Sequence, residues 1–405
     1  MVIRKEFQEI LLKWQGKKLI KIVTGVRRCG KSTLLMEFQK TLLSHGVSQD
    51  CIQSVNLDAI ENEHLYDYHR LYKQITENLI PQKMNYIFLD EIQIVPEFEK
   101  AINSLFLKEN IDLYLTGSNA YMLSGKIATL LSGRYIEIKM LPFSFPEYCE
   151  LCSEISGSKI EPNRKSYNQF VMFGGFPYVA NLLNDKEMIR DYLQGIYSTI
   201  VLKDILQRKK ISDSDVIEKI TKYSLSNIGN LTSSKKVSDT LTSGGRKTAS
   251  ATVENCYIAL TESYLFYKAT RYDIKGKEFL KSLEKYYAVD TGLYYFMFGS
   301  KTGNEGFILE NVVYLELLRR GYEIYVGKYG DMEVDFVAIK NGLPEYYQVS
   351  LSVINEDTLN RELKPLKAIK DSHPKFLITL DECNEISHDG IRQVYALDWI
   401  CMTSH

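Results

Sequence analysis

A short run near the start of the chain, Gly25-Val26-Arg27-Arg28-Cys29-Gly30-Lys31-Ser32-Thr33, restricts the possible folds more than any other stretch. A glycine, four free residues and then Gly-Lys-Ser is the spacing of a loop that wraps a phosphate chain. Such a loop works between a buried strand and a helix N-terminus, where free backbone N–H groups and the positive end of the helix dipole meet an anion. Both flanks are present: Leu19-Ile20-Lys21-Ile22-Val23 reads as the strand, and Ser32 to Lys40 as the helix. Gly25 and Gly30 permit backbone angles and close approach that a side chain would block. The candidate triphosphate-binding residues are Gly25, Arg27, Arg28, Cys29, Gly30, Lys31, Ser32 and Thr33. Lys31 is expected on the β- and γ-phosphates and the Ser32 hydroxyl on Mg²⁺, so ATP and Mg²⁺ are the expected cofactors. Cys29 is either an inert small residue or an accessible thiol whose modification blocks binding.

The segments that follow complete an α/β pattern. Arg4 to Gln15 reads as an amphipathic helix, Ser44-His45-Gly46 as a helix stop, and Cys51 to Leu57 as a second strand. Tyr86-Ile87-Phe88-Leu89 is an apolar strand ending in Asp90-Glu91. Doubly wound sheets bind ligands at the carboxyl ends of their strands. There Asp90 would orient Mg²⁺ and Glu91 would polarise the attacking water. A further strand, Leu113-Tyr114-Leu115-Thr116, runs into Gly117-Ser118-Asn119.

Net charge is −1, so no global basic field announces a nucleic-acid partner, and any such contact needs a local patch. The seven cysteines are scattered and odd in number, which beside a nucleotide loop suggests free thiols in a reducing compartment. Cys149 and Cys152 form a lone C-x-x-C without a second pair at zinc spacing, and read as two helix residues. The N-terminus lacks a signal-peptide core and no apolar run reaches membrane-spanning length, so a cytoplasmic protein without membrane contact is expected.

The motifs occur in a telling order: the phosphate loop, Leu89-Asp90-Glu91-Ile92-Gln93, Thr116-Gly117-Ser118-Asn119, Ser132-Gly133-Arg134-Tyr135, and Leu141-Pro142-Phe143-Ser144-Phe145-Pro146-Glu147-Tyr148. In this they resemble the prokaryotic AAA-family ATP-binding proteins, AAA+ type ATPases with a winged helix and a restriction-nuclease-like domain of unknown function behind the ATPase. The resemblance covers essentially the whole chain. It implies relatedness to archaeal origin-recognition-like ATPases and an ATP-driven switch acting on a DNA or protein target. It implies that Asn119 or Ser118 acts as a sensor of the attacking water or γ-phosphate, with a helix cap as the alternative. It implies that Arg134 reaches into a neighbouring copy's ATP site, with a surface ion pair as the alternative. The chain itself is then an expected partner, in an oligomer.

Four segments are implied: a P-loop core with a parallel sheet at 1–148, a helical lid at 149–212, a winged helix at 213–275 and an α/β nuclease-like domain at 276–405. Phe173-Gly174-Gly175-Phe176-Pro177-Tyr178 interrupts the helical pattern, either as a cover or hinge over the nucleotide or as a plain turn. Arg208 is a candidate second sensor. Helices at Ser233–Leu241 and Thr248–Glu262, then an alternating strand from Leu265, give the winged-helix reading. Lys235, Lys236, Arg246 and Lys247 fall near its turn, as a DNA-backbone patch or as a solvated face of a protein-binding module. Further on, a helix carrying Glu310 and a strand carrying Asp335 have the arrangement of metal nucleases, but the third strand offers Gln348-Val349-Ser350 in place of an acid and a lysine. An inactive nuclease-like fold is expected. An ATP-gated nuclease and an ATP-regulated DNA-binding protein without turnover are the alternatives.

Overall fold

The strand before the loop is β1 (Ile20–Thr24), buried at every position, as a parallel strand covered on both faces must be. The computed structural model describes residues 4–120, 131–183, 185–207, 213–299 and 304–402. It divides into two units, Met1–Pro142 with Glu262–Tyr264, and Phe143–Thr261 with Leu265–His405. No helix among the described residues is long and apolar enough to cross a membrane.

In the first unit, α1 (Lys5–Trp14), β1, α2 (Lys31–Ser44), β2 (Ile52–Asn56), α3 (Tyr68–Glu77), β3 (Asn85–Asp90), α4 (Phe98–Phe106), β4 (Ile111–Gly117) and β5 (Tyr135–Lys139) follow one another. The five strands are all parallel, in the order β2-β3-β4-β1-β5. Ile22, Ile87, Leu89, Leu113 and Leu115 fill the core beside the sheet. The order matters for chemistry: β4 lies between the strand that launches the loop and the strand that ends in acids. Its carboxyl end is therefore inserted between them.

Lys21 is the anomaly in β1. Its buried ammonium pairs with Asp112 of β4 and donates to the Lys17 carbonyl at 2.9 Å. Asp112 also accepts from the Tyr114 hydroxyl at 2.9 Å and the Gly16 N–H at 2.8 Å. Burial drives the Lys21 ammonium below its ordinary pKa against the pull of Asp112. A buried charge is tolerated only when paired and hydrogen-bonded, and this network meets that demand.

The second unit starts with α5 (Phe145–Ser156), α6 (Arg164–Phe173) and α7 (Lys186–Thr199), then α8 (Ser214–Ser226), α9 (Ser234–Ser243) and α10 (Ser250–Glu262). There follow β6 (Phe266–Asp273), β7 (Glu278–Ala288), α11 (Gly292–Phe298), α12 (Glu305–Arg319), β8 (Glu323–Tyr329), β9 (Met332–Lys340) and β10 (Leu343–Ser350). The chain ends with α13 (Glu356–Ala368), β11 (Lys375–Thr379), β12 (Ile386–His388), β13 (Ile391–Tyr395) and α14 (Ala396–Cys401). Its eight strands form one mixed sheet in the order β12-β13-β11-β10-β9-β8-β6-β7. The expected boundary at 275/276 falls in the turn of the β6–β7 hairpin, whose strands pair on both sides of it. The hairpin therefore belongs to the sheet as well as to the helices before it, because β6 also pairs with β8. Thr232 bridges Glu284 of β7 ahead of α9.

Two motifs turn out to be structural devices. In the Leu141–Tyr148 stretch, Ser144 caps α5 and Glu147 returns the bond to the Ser144 N–H at 2.8 Å, a capping box. Cys149 and Cys152 lie buried on that helix, and burial pushes each thiol up to about 11. The Gly174-Gly175 pair is clamped by Asp290, which accepts from the Gly175 N–H at 2.7 Å and the Gly292 N–H at 2.8 Å. A Cβ at Gly174, where φ is +83°, would overlap the Asp290 carboxylate. Gly174→Ala should lower stability by about 3 kcal/mol through overlap and backbone strain. Urea unfolding checks this, and an unchanged midpoint would mean that the clamp does not form.

Candidate nucleotide site and a second polar cluster

α2 opens from Gly30, whose φ of 103° is left-handed and which has no side chain to cap the helix. The first-turn N–H groups of a helix lack intrahelical acceptors, and no acidic residue occupies that turn. Gly25 leaves β1 at φ +148°, and a Cβ there would overlap the Met140 carbonyl oxygen. The buried Lys31 ammonium turns back into the loop and donates to the carbonyls of Gly25 at 3.0 Å and Val26 at 3.1 Å. It stands 4.0 Å from Glu91 Oε1. An ammonium held by carbonyls beside an uncapped helix start suits a polyanion, whose oxygens compete for the same protons with full charge.

The acids are organised from β4. Thr116 Oγ1 donates to Asp90 and accepts the Glu91 N–H at 2.9 Å. Glu91 takes a left-handed φ of 54°, uncommon for a residue with a Cβ. Ser118 Oγ donates to Glu91 Oε2 at 3.0 Å. Gln93 Nε2 donates to the same oxygen and to Ser118 Oγ at 3.3 Å. Burial raises the Glu91 pKa, but the Lys31 and Arg27 cations and the bonds from Gln93 and Ser118 outweigh it and hold the carboxyl below its ordinary value.

The other sequence candidates fall as follows. Ser32 and Arg28 are exposed, and Arg27 and Thr33 are half-buried. Cys29 has no exposed surface; its thiol donates to the Met140 carbonyl at 3.4 Å, and burial pushes it above its ordinary pKa. Cys29 is thus packed against the residue that follows β5 rather than open to solvent. Of the two sensor candidates, Ser118 makes the bond to Glu91, and Asn119 is buried next to it. Arg134 precedes β5 at the end of the sheet remote from the loop. Its guanidinium bonds Asn103 and lies 5.6 Å from the Phe106 ring centre, both in its own chain. Arg208 lies outside the described residues. Thr116 and Gln93 were missed as functional positions. Gln93 stands two residues past Glu91, a legible signal; Thr116 needed the strand order.

In the second unit, Glu310 of α12, Asp335 of β9 and Gln348 of β10 line one cleft of about 570 Å³ with Glu362, Arg361 and Lys364. Gln348 donates to Glu362 at 2.9 Å, and the Val349 N–H donates to Asp335 at 2.9 Å. A lysine of β7 stands beside these acids. The buried Lys285 ammonium is 2.8 Å from Glu333, 3.0 Å from Glu310 and 3.6 Å from Asp335. The Tyr287 hydroxyl donates to Glu310 at 2.7 Å. Burial opposes the charge on Lys285, but Glu310, Asp335 and Glu333 overcome it and raise its pKa. Burial, then the Glu310 charge, push Asp335 up to about 8 against Lys285.

Of the basic residues near the α9–α10 turn, Lys235, Lys236 and Lys247 are exposed. Arg246 pairs with Asp213 and lies 3.5 Å from Asp215, which offsets its charge.

A parallel sheet with a phosphate loop after its first strand, two acids after its third and a strand between them defines a P-loop nucleotide-binding unit. A family model described as an AAA domain matches residues 17–149, and one described as a domain of unknown function (DUF8612) matches residues 164–304. An uncharacterized protein of Haemophilus influenzae is 38% identical over 402 residues, 99% of this chain and 98% of that one. The uncharacterized protein MJ1544 of Methanocaldococcus jannaschii is 31% identical over 371 residues, 87% of this chain and 79% of its own. The chain belongs to the family of these proteins, with an AAA domain as its N-terminal part. Among solved structures, the Walker-type ATPase PABY2304 of Pyrococcus abyssi matches with a TM-score of 0.51 and 13% identity, over 73% of this chain and 96% of that one. At that identity the likeness concerns the fold.

Asp335 carries a pH signature. Its folded-state pKa of about 8 lies above the ordinary 3.8, so the native chain keeps a proton that the unfolded chain releases. The stability tied to this group is present at low pH and lost as pH rises through that window. Asp335→Asn, which cannot ionise, should therefore gain stability relative to wild type between pH 5 and about 8.5. Urea midpoints at the two ends check this; an equal difference at both would contradict it.

Proposed function

We propose that this protein is an ATP-binding and ATP-hydrolysing switch of the AAA+ type. The observation that carries the reading is the convergence of Lys31, Glu91, Thr116 and Ser118 at the carboxyl ends of three adjacent strands. The loop amides and Lys31 would bind the β- and γ-phosphates, with Arg27, Arg28 and Thr33 around them. Ser32 and Asp90 would hold Mg²⁺, which supplies charge neutralisation for the phosphates. Glu91, kept ionised by Lys31 and Arg27, would orient the attacking water and accept its proton, giving ADP and phosphate. Ser118 fixes the Glu91 carboxylate and, with Asn119, would sense the γ-phosphate.

Arg134 would complete the site of a neighbouring copy, exchanging Asn103 for the transition-state charge. The three helices α8–α10 with the β6–β7 hairpin and the Thr232 bridge support the winged-helix reading. With Arg246 already paired to acids, the remaining lysines make a modest patch, so a protein target fits at least as well as DNA. The mixed sheet behind it supports the nuclease-like reading. There Lys285 is already engaged by Glu310, Glu333 and Asp335, which favours a fold that binds without cutting.

Lys31→Ala should weaken Mg-ATP binding about 100-fold or more, the scale for losing a buried charged donor to phosphate. Glu91→Gln should bind ATP normally while turnover falls about 10²–10⁴-fold. Calorimetry and phosphate release separate the two; a Glu91→Gln protein that hydrolyses at the wild-type rate would remove Glu91 from the mechanism. Specific activity should rise with protein concentration, and Arg134→Ala should abolish that rise. A concentration-independent rate would refute the shared site.

A further inference from the structure

Glu262–Tyr264 belong to the first unit although the residues on either side, in α10 and β6, belong to the second. Tyr264 is buried and adopts a φ of 58°, a region that an aromatic side chain rarely occupies and that persists where surroundings hold it. Its hydroxyl reaches Glu137 Oε1 of β5 at 3.4 Å. The same oxygen accepts the Thr24 hydroxyl at 2.7 Å. Thr24 is the last residue of β1, and the next residue is Gly25. Burial and the Glu137 carboxylate push the Tyr264 phenol up, so it stays a donor at neutral pH.

Tyr264, Glu137 and Thr24 thus form a chain of contacts inside the first unit that ends beside the first residue of the phosphate loop. That residue has little latitude. Gly25 passes so close to the Met140 carbonyl that even a Cβ would overlap it. Its own carbonyl holds the Lys31 ammonium at 3.0 Å. A shift at Thr24 is therefore passed directly to the lysine that faces the phosphates.

We propose that Tyr264 is a positioning residue for the phosphate loop, acting through Glu137 and Thr24, and that it links nucleotide occupancy to the seating of residues 262–264 within the first unit. The proposal rests on the nucleotide-binding reading. It assigns Tyr264 no contact with the reacting atoms. Because linkage is reciprocal, a nucleotide on the loop favours the docked position of residues 262–264 by the same factor that docking favours the nucleotide.

The test titrates the full-length wild type, Tyr264→Phe, Thr24→Val and the double variant with a fluorescent ATP analogue and Mg²⁺, and follows turnover. Tyr264→Phe should raise Kd and KM roughly two- to tenfold, the weight of one hydrogen bond. Its kcat should stay within about twofold, because an interaction made equally in ground and transition states moves KM alone. The double variant should bind no worse than the weaker single one, because both break one chain of contacts. Wild-type affinity in Tyr264→Phe, or full additivity with Thr24→Val, overturns the proposal. Should Tyr264→Phe fail to melt as a folded protein, Glu137→Gln carries the same expectation and can overturn it in the same way. Failure of the wild type itself to bind the analogue would instead sink the nucleotide reading and this proposal with it.

Discussion

The first unit depends on a buried ammonium that its own fold leaves incompletely answered. Lys31 is held by two carbonyl oxygens, and Glu91, the carboxylate facing it, stays at 4.0 Å. Taking a lysine out of water costs several kcal/mol unless an opposite charge meets it. Carbonyl dipoles meet part of that cost, and on the proposed reading a polyphosphate would meet the rest. The surrounding geometry keeps the deficit in place. Ser118 and Gln93 hold Glu91 Oε2, Thr116 fixes its backbone, and the carboxylate is thereby kept from closing on Lys31. Thr116 and Ser118 are where they are because β4 runs between β1 and β3, whereas Gln93 follows Glu91 in the chain.

The second unit solves the same problem the opposite way. Lys285 is as deeply buried as Lys31, yet Glu333, Glu310 and Asp335 surround it. There the carboxylates are in excess, and the fold responds by keeping a proton on Asp335 well above the ordinary carboxylate range. One buried lysine calls for an anion from outside; the other is satisfied from within. That contrast fits the proposed nucleotide site in the first unit and a binding or structural role for the second.

Much of the first site was legible because it is local in sequence. Loop glycines, the lysine and the helix they start lie in a few consecutive residues, and the two acids end an unbroken apolar run. What stayed hidden is what strand order creates. Thr116 sits in an ordinary apolar strand, and only pairing in the sheet places it between Asp90 and Glu91. Lys285 lies on β7, and nothing local in the sequence says that its ammonium meets acids from α12 and β9. Tyr264 falls between the helix read to Glu262 and the strand read from Leu265, and its bond to Glu137 spans more than a hundred residues. The Gly174-Gly175 pair was legible as a break but not as a clamp, since its partner Asp290 lies far along the chain. The Leu141–Tyr148 motif marked family resemblance, and its physical content is a helix cap.

The proposed site would hold one triphosphate per chain at the α2 N-terminus against Lys31. Calorimetric titration of the wild-type protein with a non-hydrolysable ATP analogue and Mg²⁺ tests this most directly. Saturation at one analogue per chain, weakening as inorganic triphosphate is added in competition, is the result the account requires. A flat titration, or binding that triphosphate leaves untouched, would contradict it.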